Sequence, residues 1–134
     1  MIVLDEQLAR LAVRDAICRW YSGKVVAIND LRPGTVIKDE AIPSLLARHG
    51  MPTFVTLNSA DFWQRVPITD RFCVVCVALP GSRTAEVSLL LRRLLRHPLC
   101  RNRARRMGHV FRVVTARAQM YSVWDPGPRQ LPDW

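Results

Sequence analysis

The sequence lacks the long apolar run that a membrane-spanning helix requires. About 18 consecutive apolar residues are needed to cross a bilayer, and every apolar run in this chain is far shorter. An export signal is also missing from the pattern, because Asp5 and Glu6 stand where a basic segment and an apolar segment would be. These absences predict a cytoplasmic protein without a membrane partner.

Cysteine and histidine are too few and too scattered for a disulfide scaffold or a zinc site. The 134 residues include four cysteines and three histidines, without the paired spacing of zinc ligands. Cys73 and Cys76 match C-x-x-C, but both lie in the apolar run 72–79, which is a predicted strand. Residues three apart on a strand point to opposite faces, so we predict buried thiols rather than a metal or redox site.

Lysine is scarce as well, since arginine supplies 18 of the 20 basic residues. Residues 1–61 hold seven acidic and seven basic residues, whereas residues 81–134 hold eleven arginines and three acids, a balance of +8. The planar guanidinium of arginine binds phosphate better than the ammonium of lysine does. The basic part therefore favours a polyanionic partner. The alternative is that the excess reflects only a generally arginine-rich composition.

The alternation of apolar segments and helix-like segments predicts a three-layer α/β fold with a mostly parallel sheet of about five strands. The predicted strands are residues 1–4, 24–28, 53–57, 72–79 and 109–115, with 119–124 as a candidate hairpin partner of the fifth. The predicted helices are residues 6–20, 39–49, 59–64 and 84–96, and the proline-containing tail from residue 125 is predicted to be irregular. We expect a single domain, residues 1–134, in which residues 1–80 carry the acids and residues 81–134 the arginines.

Polar side chains follow two of these apolar segments where the predicted strands end. Asp5 follows the first four residues at once, while the segment 53–57 contains Thr56 and is followed by Asn58 and Asp61. In open α/β sheets, ligands bind at the carboxyl ends of the strands. We therefore expect carboxylates from separate strands to gather at one end of the sheet, which we call the acidic edge.

Six carboxylates are candidates for the acidic edge: Asp5, Glu6, Asp30, Asp39, Glu40 and Asp61. Gathered carboxylates repel one another unless a cation neutralises them. Mg²⁺ is commonly held by one or two carboxylates together with waters and substrate phosphates, and such an ion activates water and stabilises the leaving oxygen of a phosphodiester. The pattern therefore favours metal-assisted phosphodiester hydrolysis. No glycine-rich phosphate loop and no serine or cysteine in a recognisable nucleophile context offers another chemistry.

Some of these carboxylates also have purely structural interpretations. Asp39 is a good helix N-cap, Asp30 is a turn former, and Glu6 matches the dipole of the helix that follows it. Asp5 and Asp61 are the stronger candidates, because each lies next to a predicted buried strand.

Four segments in this order resemble the successive blocks of PIN-like domains, most closely the small toxin-type proteins of bacteria. They are Ile-Val-Leu-Asp-Glu at 2–6, Asn-Asp-Leu with a following glycine at 29–34, Lys-Asp-Glu-Ala-Ile at 38–42 and Val-Thr-Leu-Asn-Ser-Ala-Asp-Phe at 55–62. The resemblance covers residues 1 to about 80. It implies a Rossmann-like sheet, Mg²⁺ or Mn²⁺, and endonuclease action on RNA, often with a protein antitoxin as partner.

The resemblance also implies roles for individual residues. It makes Asp5, Asp39 and Asp61 catalytic candidates and Asp5, Glu40, Asn58 and Asp61 metal-ligand candidates. From their positions in the chain, Glu6, Asp30 and Thr56 are candidate supporting residues. The Thr56 hydroxyl is suited to orienting a metal ligand, and the alternative is that threonine is simply a good strand former. The chain departs from the family pattern at Asn58, where the motif usually has an acid. An amide oxygen still binds Mg²⁺, but it brings no charge, so a catalytically weakened member that binds RNA or a partner protein is the alternative function.

Seven arginines in the basic part are candidates for a phosphate path: Arg92, Arg93, Arg96, Arg101, Arg103, Arg105 and Arg106. The alternative for any one of them is a solvated basic helix face. The expected partner is RNA, and an antitoxin protein and a second copy of the chain are further candidates. A third class of function, a phospho-receiver domain, needs an aspartate after the third strand and a lysine after the fifth, and the chain has Asn58 and no lysine there.

Overall fold

One seven-stranded sheet runs through the centre of the computed structural model, which describes the backbone of residues 1–134 and every side chain except that of Leu11. Its strands are β1 (Ile2–Leu4), β2 (Val25–Ala27), β3 (Thr53–Thr56), β4 (Cys73–Val77), β5 (His109–Val113), β6 (Ala118–Ser122) and β7 (Arg129–Gln130). They lie in the order β2-β1-β3-β4-β5-β6-β7. The first five are parallel to one another, and β6 and β7 add to β5 as antiparallel strands.

Helices cover both faces of the sheet, which confirms the predicted α/β class and its layering. They are α1 (Leu11–Cys18), α2 (Ile42–Ala47), α3 (Ser59–Phe62), α4 (Val87–Arg96) and α5 (Arg103–Arg106). Apolar residues of α1 and α4 pack in one core with Ile2 and Leu4 of β1, whereas those of α2 and α3 pack in a second core with Val3. None of the described helices is both long enough and apolar enough to span a bilayer.

The two cores follow directly from the alternation of side chains along the strands. Cys73 belongs to the first core and Cys76 to the second, so the C-x-x-C pair points to opposite faces of β4 as predicted. Both thiols are free and fully buried. Burial raises the pKa of Cys76 to about 12, so this thiol stays protonated at neutral pH and is a poor nucleophile or metal ligand.

The sheet has seven strands rather than about five, because the candidate hairpin partner of β5 forms as β6 and the tail contributes β7. Residues from 125 onward were predicted to be irregular, but β7 pairs with Gln119 and Met120 of β6. Leu131 follows β7 and is buried in the first core. A strand of two residues is too short to produce a period-two pattern, which is why the sequence does not reveal it.

Two of the predicted helices are interrupted. The segment 6–20 forms a 3₁₀ turn at Glu6–Leu8 before α1 begins, because the Asp5 carboxylate accepts a hydrogen bond from the Glu6 amide and Leu8 turns into the core. The segment 39–49 begins as a 3₁₀ turn at Asp39–Ala41, and Pro43 then lies in the first turn of α2. Proline has no N–H to continue the hydrogen bonding from the preceding turn.

The basic part also differs in detail from the prediction. A 3₁₀ segment at Gly81–Glu86 precedes α4, which starts only at Val87. The predicted connection 100–107 contains α5, capped by Asn102, whose side-chain oxygen accepts a hydrogen bond from the Arg105 amide. Asparagine is a preferred N-cap, so this short helix had a local sequence signal.

Candidate functional site

The sheet has a topological switch point between β1 and β3. From β1 the chain builds one neighbour on one side, β2, and then crosses to the other side, where β3, β4 and β5 follow. In doubly wound sheets of this strand order, ligands bind outside the carboxyl ends of the strands at the switch point. Leu4 lies opposite Val55, so Asp5 and Thr56 come together at this place.

Asp5 is held in a fixed orientation by its neighbours. The side chain is only 8% exposed, yet both oxygens have partners. Oδ2 accepts a hydrogen bond of 2.6 Å from Oγ1 of Thr56, and Oδ1 accepts one of 2.8 Å from the amide of Glu6. Oγ1 of Thr56 in turn accepts a hydrogen bond of 3.0 Å from the amide of Asn58. The predicted supporting residue Thr56 therefore links the ends of two strands through the Asp5 carboxylate.

Asn58 and Asp61 are bonded to each other on the adjacent loop. Asn58 is the N-cap of α3, and its Oδ1 accepts a hydrogen bond of 3.2 Å from the amide of Asp61. Its Nδ2 donates a bond of 2.6 Å to Oδ2 of Asp61. Both ends of the Asn58 amide group are thus engaged, and one oxygen of the exposed Asp61 carboxylate is occupied.

Asp39 is the member of the acidic edge whose ionisation is most clearly perturbed. Partial burial raises its pKa first, and the negative charges of Asp5, Asp61, Glu40 and Glu6 raise it further, in that order. Carboxylates from β1, from the turn before α2 and from α3 therefore act on one group. Neither of the two ion pairs among the described side chains includes an acid of this cluster.

The exposed side of this cluster opens into a cleft of about 430 Å³. Asp39, Glu40 and Asp61 line it together with Phe62 and Arg65. Arg65 was not among the predicted site residues, although it follows the Asp-Phe pair by only three positions. Gln64 has the left-handed backbone conformation, with φ 62°, and its amide donates to the hydroxyl of Tyr121, which fixes the turn that presents Arg65.

Two predicted supporting residues lie at the margin of the cluster or outside it. Glu6 is exposed and acts on Asp39 only as the last of the four charges. Oδ2 of Asp30 accepts a hydrogen bond of 3.0 Å from the amide of Ala27, and Asp30 is not among the charges that act on Asp39. Asp30 therefore has the local turn role that was its structural interpretation.

The seven candidate arginines do not form one path beside the acidic edge. Arg106 is buried and its Nε contacts Oγ1 of Thr53, the first residue of β3, so this residue lies at the amino ends of the strands. Arg103 and Arg106 also lower the pKa of the Met1 amino group, after the larger effect of burial. This end of the sheet is roughly 13 Å from Asp5 along β1, at about 3.3 Å per residue.

The remaining arginines divide between this opposite end and other places. Arg92, Arg96 and Arg101 line the same pocket as Arg103 and Arg106. Arg93 instead lies over the ring of Trp134, with its Cζ 4.1 Å from the ring centroid, and donates to the carbonyl of Thr115. Arg105 is exposed and is not part of the pocket.

The side chains of the acidic edge are close enough to interact but do not form a closed cage. Among the side chains that the structure describes, no group of three or more histidines, cysteines, aspartates or glutamates is arranged to hold a metal ion by itself. Comparison with protein-family models, with curated proteins and with solved structures gives no match for this chain. The function of the chain is therefore inferred from the geometry of the site.

The raised pKa of Asp39 predicts how the thermal stability of the protein depends on pH. A raised pKa means that the folded protein favours the protonated form of the Asp39 carboxyl. The contribution of this carboxyl to stability is therefore complete when the pH is below its pKa in the unfolded chain. It is lost as the pH rises through its pKa in the folded protein. With chelator present, we expect Asp39→Asn to raise the melting temperature slightly at pH 7, because water screens the repulsion at this exposed residue, and to have no such effect near pH 3. Thermal unfolding at the two pH values measures this.

Asp70→Asn is the matched control, because Asp70 is exposed and is not among the charges acting on Asp39. An equal rise in melting temperature for both variants at pH 7 would mean that charge repulsion at the acidic edge does not destabilise the protein.

Proposed function

We propose that the chain is a metal-dependent endoribonuclease of the PIN-like, toxin type, which hydrolyses RNA phosphodiester bonds at the acidic edge. The single observation that carries the proposal is the fixed Asp5 carboxylate at the switch point of the sheet, together with the cleft that Asp39, Glu40 and Asp61 line. Carboxylates placed together at the carboxyl ends of parallel strands raise the energy of the protein alone, so their arrangement calls for a cationic ligand.

The donor set of the acidic edge fits Mg²⁺ or Mn²⁺. All of its side-chain groups are carboxylate or amide oxygens, which are the ligands that hard divalent ions prefer. Mg²⁺ is usually held by one or two carboxylates, with waters and substrate phosphates completing its shell. A complete protein cage is therefore not required, and the ion would be held by one or two of Asp5, Asp61 and Glu40, with the Asn58 oxygen and waters. When bound, the ion lowers the pKa of a water and neutralises charge on the leaving oxygen.

Asp5, Asp39 and Arg65 have different roles in the proposed reaction. Asp5 is fixed by two hydrogen bonds and cannot swing away from the strand ends, so it provides a pre-oriented ligand. Asp39 lines the cleft where the substrate would lie, so its carboxylate can accept a proton from the attacking water. Arg65 lines the same cleft and can offer its guanidinium fork to a substrate phosphate.

RNA is the substrate class that the charge of the chain favours. The formal net charge is +9, and it arises mainly from the arginines of residues 81–134. Protein–nucleic acid affinity depends strongly on such charges. A strand bound in the cleft can continue towards the basic end of the sheet, about 13 Å away. A toxin of this type would pair with an antitoxin protein, and a homodimer belongs to the same proposal.

Asn58 favours a second candidate, a catalytically weakened PIN-like protein that binds RNA or a partner without cutting. Asn58 has an amide where the family pattern has an acid, and its Nδ2 donates a hydrogen bond to Oδ2 of Asp61. Both effects reduce the negative charge offered to a divalent ion. A phospho-receiver function is not favoured, because Asn58 follows β3 and the two lysines, Lys24 and Lys38, both precede it.

The proposed function is tested by cleavage of a mixed RNA pool with Mn²⁺, with Mg²⁺ and with chelator. We expect cleavage that requires a divalent ion and falls at least about 100-fold in Asp5→Asn, because that substitution removes the fixed charged ligand. Asp30→Asn is the control and should retain nearly full activity, because Asp30 serves the backbone of its own turn. Unchanged cleavage by Asp5→Asn would overturn the assignment of the site.

The two candidate functions are separated by Asn58→Asp. The new carboxylate keeps an oxygen for the N-cap but replaces the Nδ2 bond to Asp61 with repulsion. We expect a lower melting temperature in chelator, a larger stabilisation by Mn²⁺ than in the wild type, and faster metal-dependent cleavage.

Asn102→Asp is a matched control, since Asn102 caps α5 in the same way without an acid three residues later. If Asn58→Asp responds to Mn²⁺ no more than Asn102→Asp does, position 58 is not a metal ligand. If only Asn58→Asp cuts RNA, the natural chain is the weakened, binding form.

A further inference from the structure

We infer that the end of the sheet opposite the acidic edge holds a separate binding site for a phosphate-bearing nucleotide. A pocket of about 370 Å³ lies there, within the size range of small-molecule sites. Five guanidinium groups line this arginine pocket, and no acidic side chain does. They belong to Arg92, Arg96, Arg101, Arg103 and Arg106.

Arg106 is a buried cation without a counter-ion. The residue is only 5% exposed. Its recorded hydrogen bonds go to neutral oxygens, namely the carbonyls of Cys100 and Arg101 and the hydroxyl of Thr53. Among the described side chains, no carboxylate lies within ion-pair distance of Arg106, since the two ion pairs join other residues. A buried charge is costly unless it is paired, so an anion in the pocket would complete this arrangement.

A second arginine also has unused hydrogen-bonding capacity. Nε of Arg92 is buried and has no hydrogen-bond partner among the described residues, and Arg92 lines the same pocket. Buried polar atoms are almost always satisfied in folded proteins. The five arginines that line the pocket offer several N–H donors, which favours a ligand that supplies several acceptor oxygens, as a phosphate group does.

Two aromatic side chains give the pocket a surface for a base. Trp20 and Tyr21 line it and contact each other edge to face, with ring centroids 6.1 Å apart. The indole nitrogen of Trp20 donates to Oγ of Ser88, which fixes that ring. The Tyr21 ring lies so close to Gly23 that a Cβ at that position would be 2.7 Å from it. Arginines beside fixed aromatic rings favour a nucleotide over a simple inorganic anion.

This site does not depend on the proposed nuclease function. The acidic edge lies at the carboxyl ends of the strands, whereas Arg106 contacts the first residue of β3. The nucleotide can be free or can be the phosphorylated end of an RNA strand, since both present the same chemistry. Binding measured in chelator tests the pocket while metal-dependent cleavage is absent.

The experiment is titration calorimetry in chelator with AMP, adenosine and inorganic phosphate. We expect AMP to bind more tightly than inorganic phosphate, and adenosine to bind at least about tenfold more weakly than AMP because it lacks the charge-assisted hydrogen bonds. The double variant Arg96→Gln with Arg101→Gln should lose at least about tenfold in AMP affinity. These two arginines are exposed, so the fold should tolerate both changes.

The matched control is Arg14→Gln with Arg117→Gln, which removes the same charge from exposed positions outside the pocket. Undetectable AMP binding by the wild type, or equal weakening in both double variants, would overturn the proposal. Tyr21→Ala should weaken AMP binding about tenfold and leave inorganic phosphate binding unchanged. Equal loss for both ligands would overturn the base-binding part.

A final pair of probes identifies the source of the phosphate. A tetraribonucleotide with a 5′-phosphate is compared with its 5′-hydroxyl form, again in chelator. A preference of tenfold or more for the phosphorylated strand supports the site as a receptor for strand ends. AMP binding without that preference supports it as a receptor for free nucleotides.

Discussion

The hydrogen bond from Thr56 to Asp5 is the interaction on which the candidate site depends. It joins the carboxyl ends of β1 and β3 at the point where the order of the sheet reverses, and it fixes a carboxylate that is almost fully buried. The bond exists because Leu4 and Val55 are in register, which places a strand-ending acid beside a strand-ending threonine. The charge of this fixed carboxylate contributes to the raised pKa of Asp39.

The chain separates its charges to opposite ends of one sheet. The acidic edge lies at the carboxyl ends of the strands, where Asp39 experiences four negative neighbours. The arginine pocket lies at the amino ends, where Arg106 is buried without a counter-ion. Each end alone carries an excess of one sign, so each is suited to a ligand of the opposite sign: a divalent cation at one end and a phosphate at the other. RNA is the partner in the proposed function that can contact both ends, because it carries phosphates along its whole length.

The approach of Asp5 to the end of β3, where it meets Thr56, could be predicted from the sequence, because parallel strands end at a common edge. The opposite orientation of Cys73 and Cys76 followed from the period of a strand in the same way. The position of the α4 arginines could not be predicted in the same way. A helix that follows β4 runs back across the sheet, so the arginines at its end return to the amino ends of the strands rather than to the acids. Arg65 and β7 were missed because one isolated arginine and a two-residue strand produce no pattern.

The most direct test of the account is the affinity for Mn²⁺, measured by electron paramagnetic resonance on the wild type and on Thr56→Val. The valine keeps the shape of the buried side chain but removes the hydroxyl that orients Asp5. The account predicts saturable binding of Mn²⁺ by the wild type and a loss of about 10–100-fold in affinity for the variant, as for other groups that orient a metal ligand. Equal affinity of the two proteins, or no saturable binding by the wild type, would contradict it.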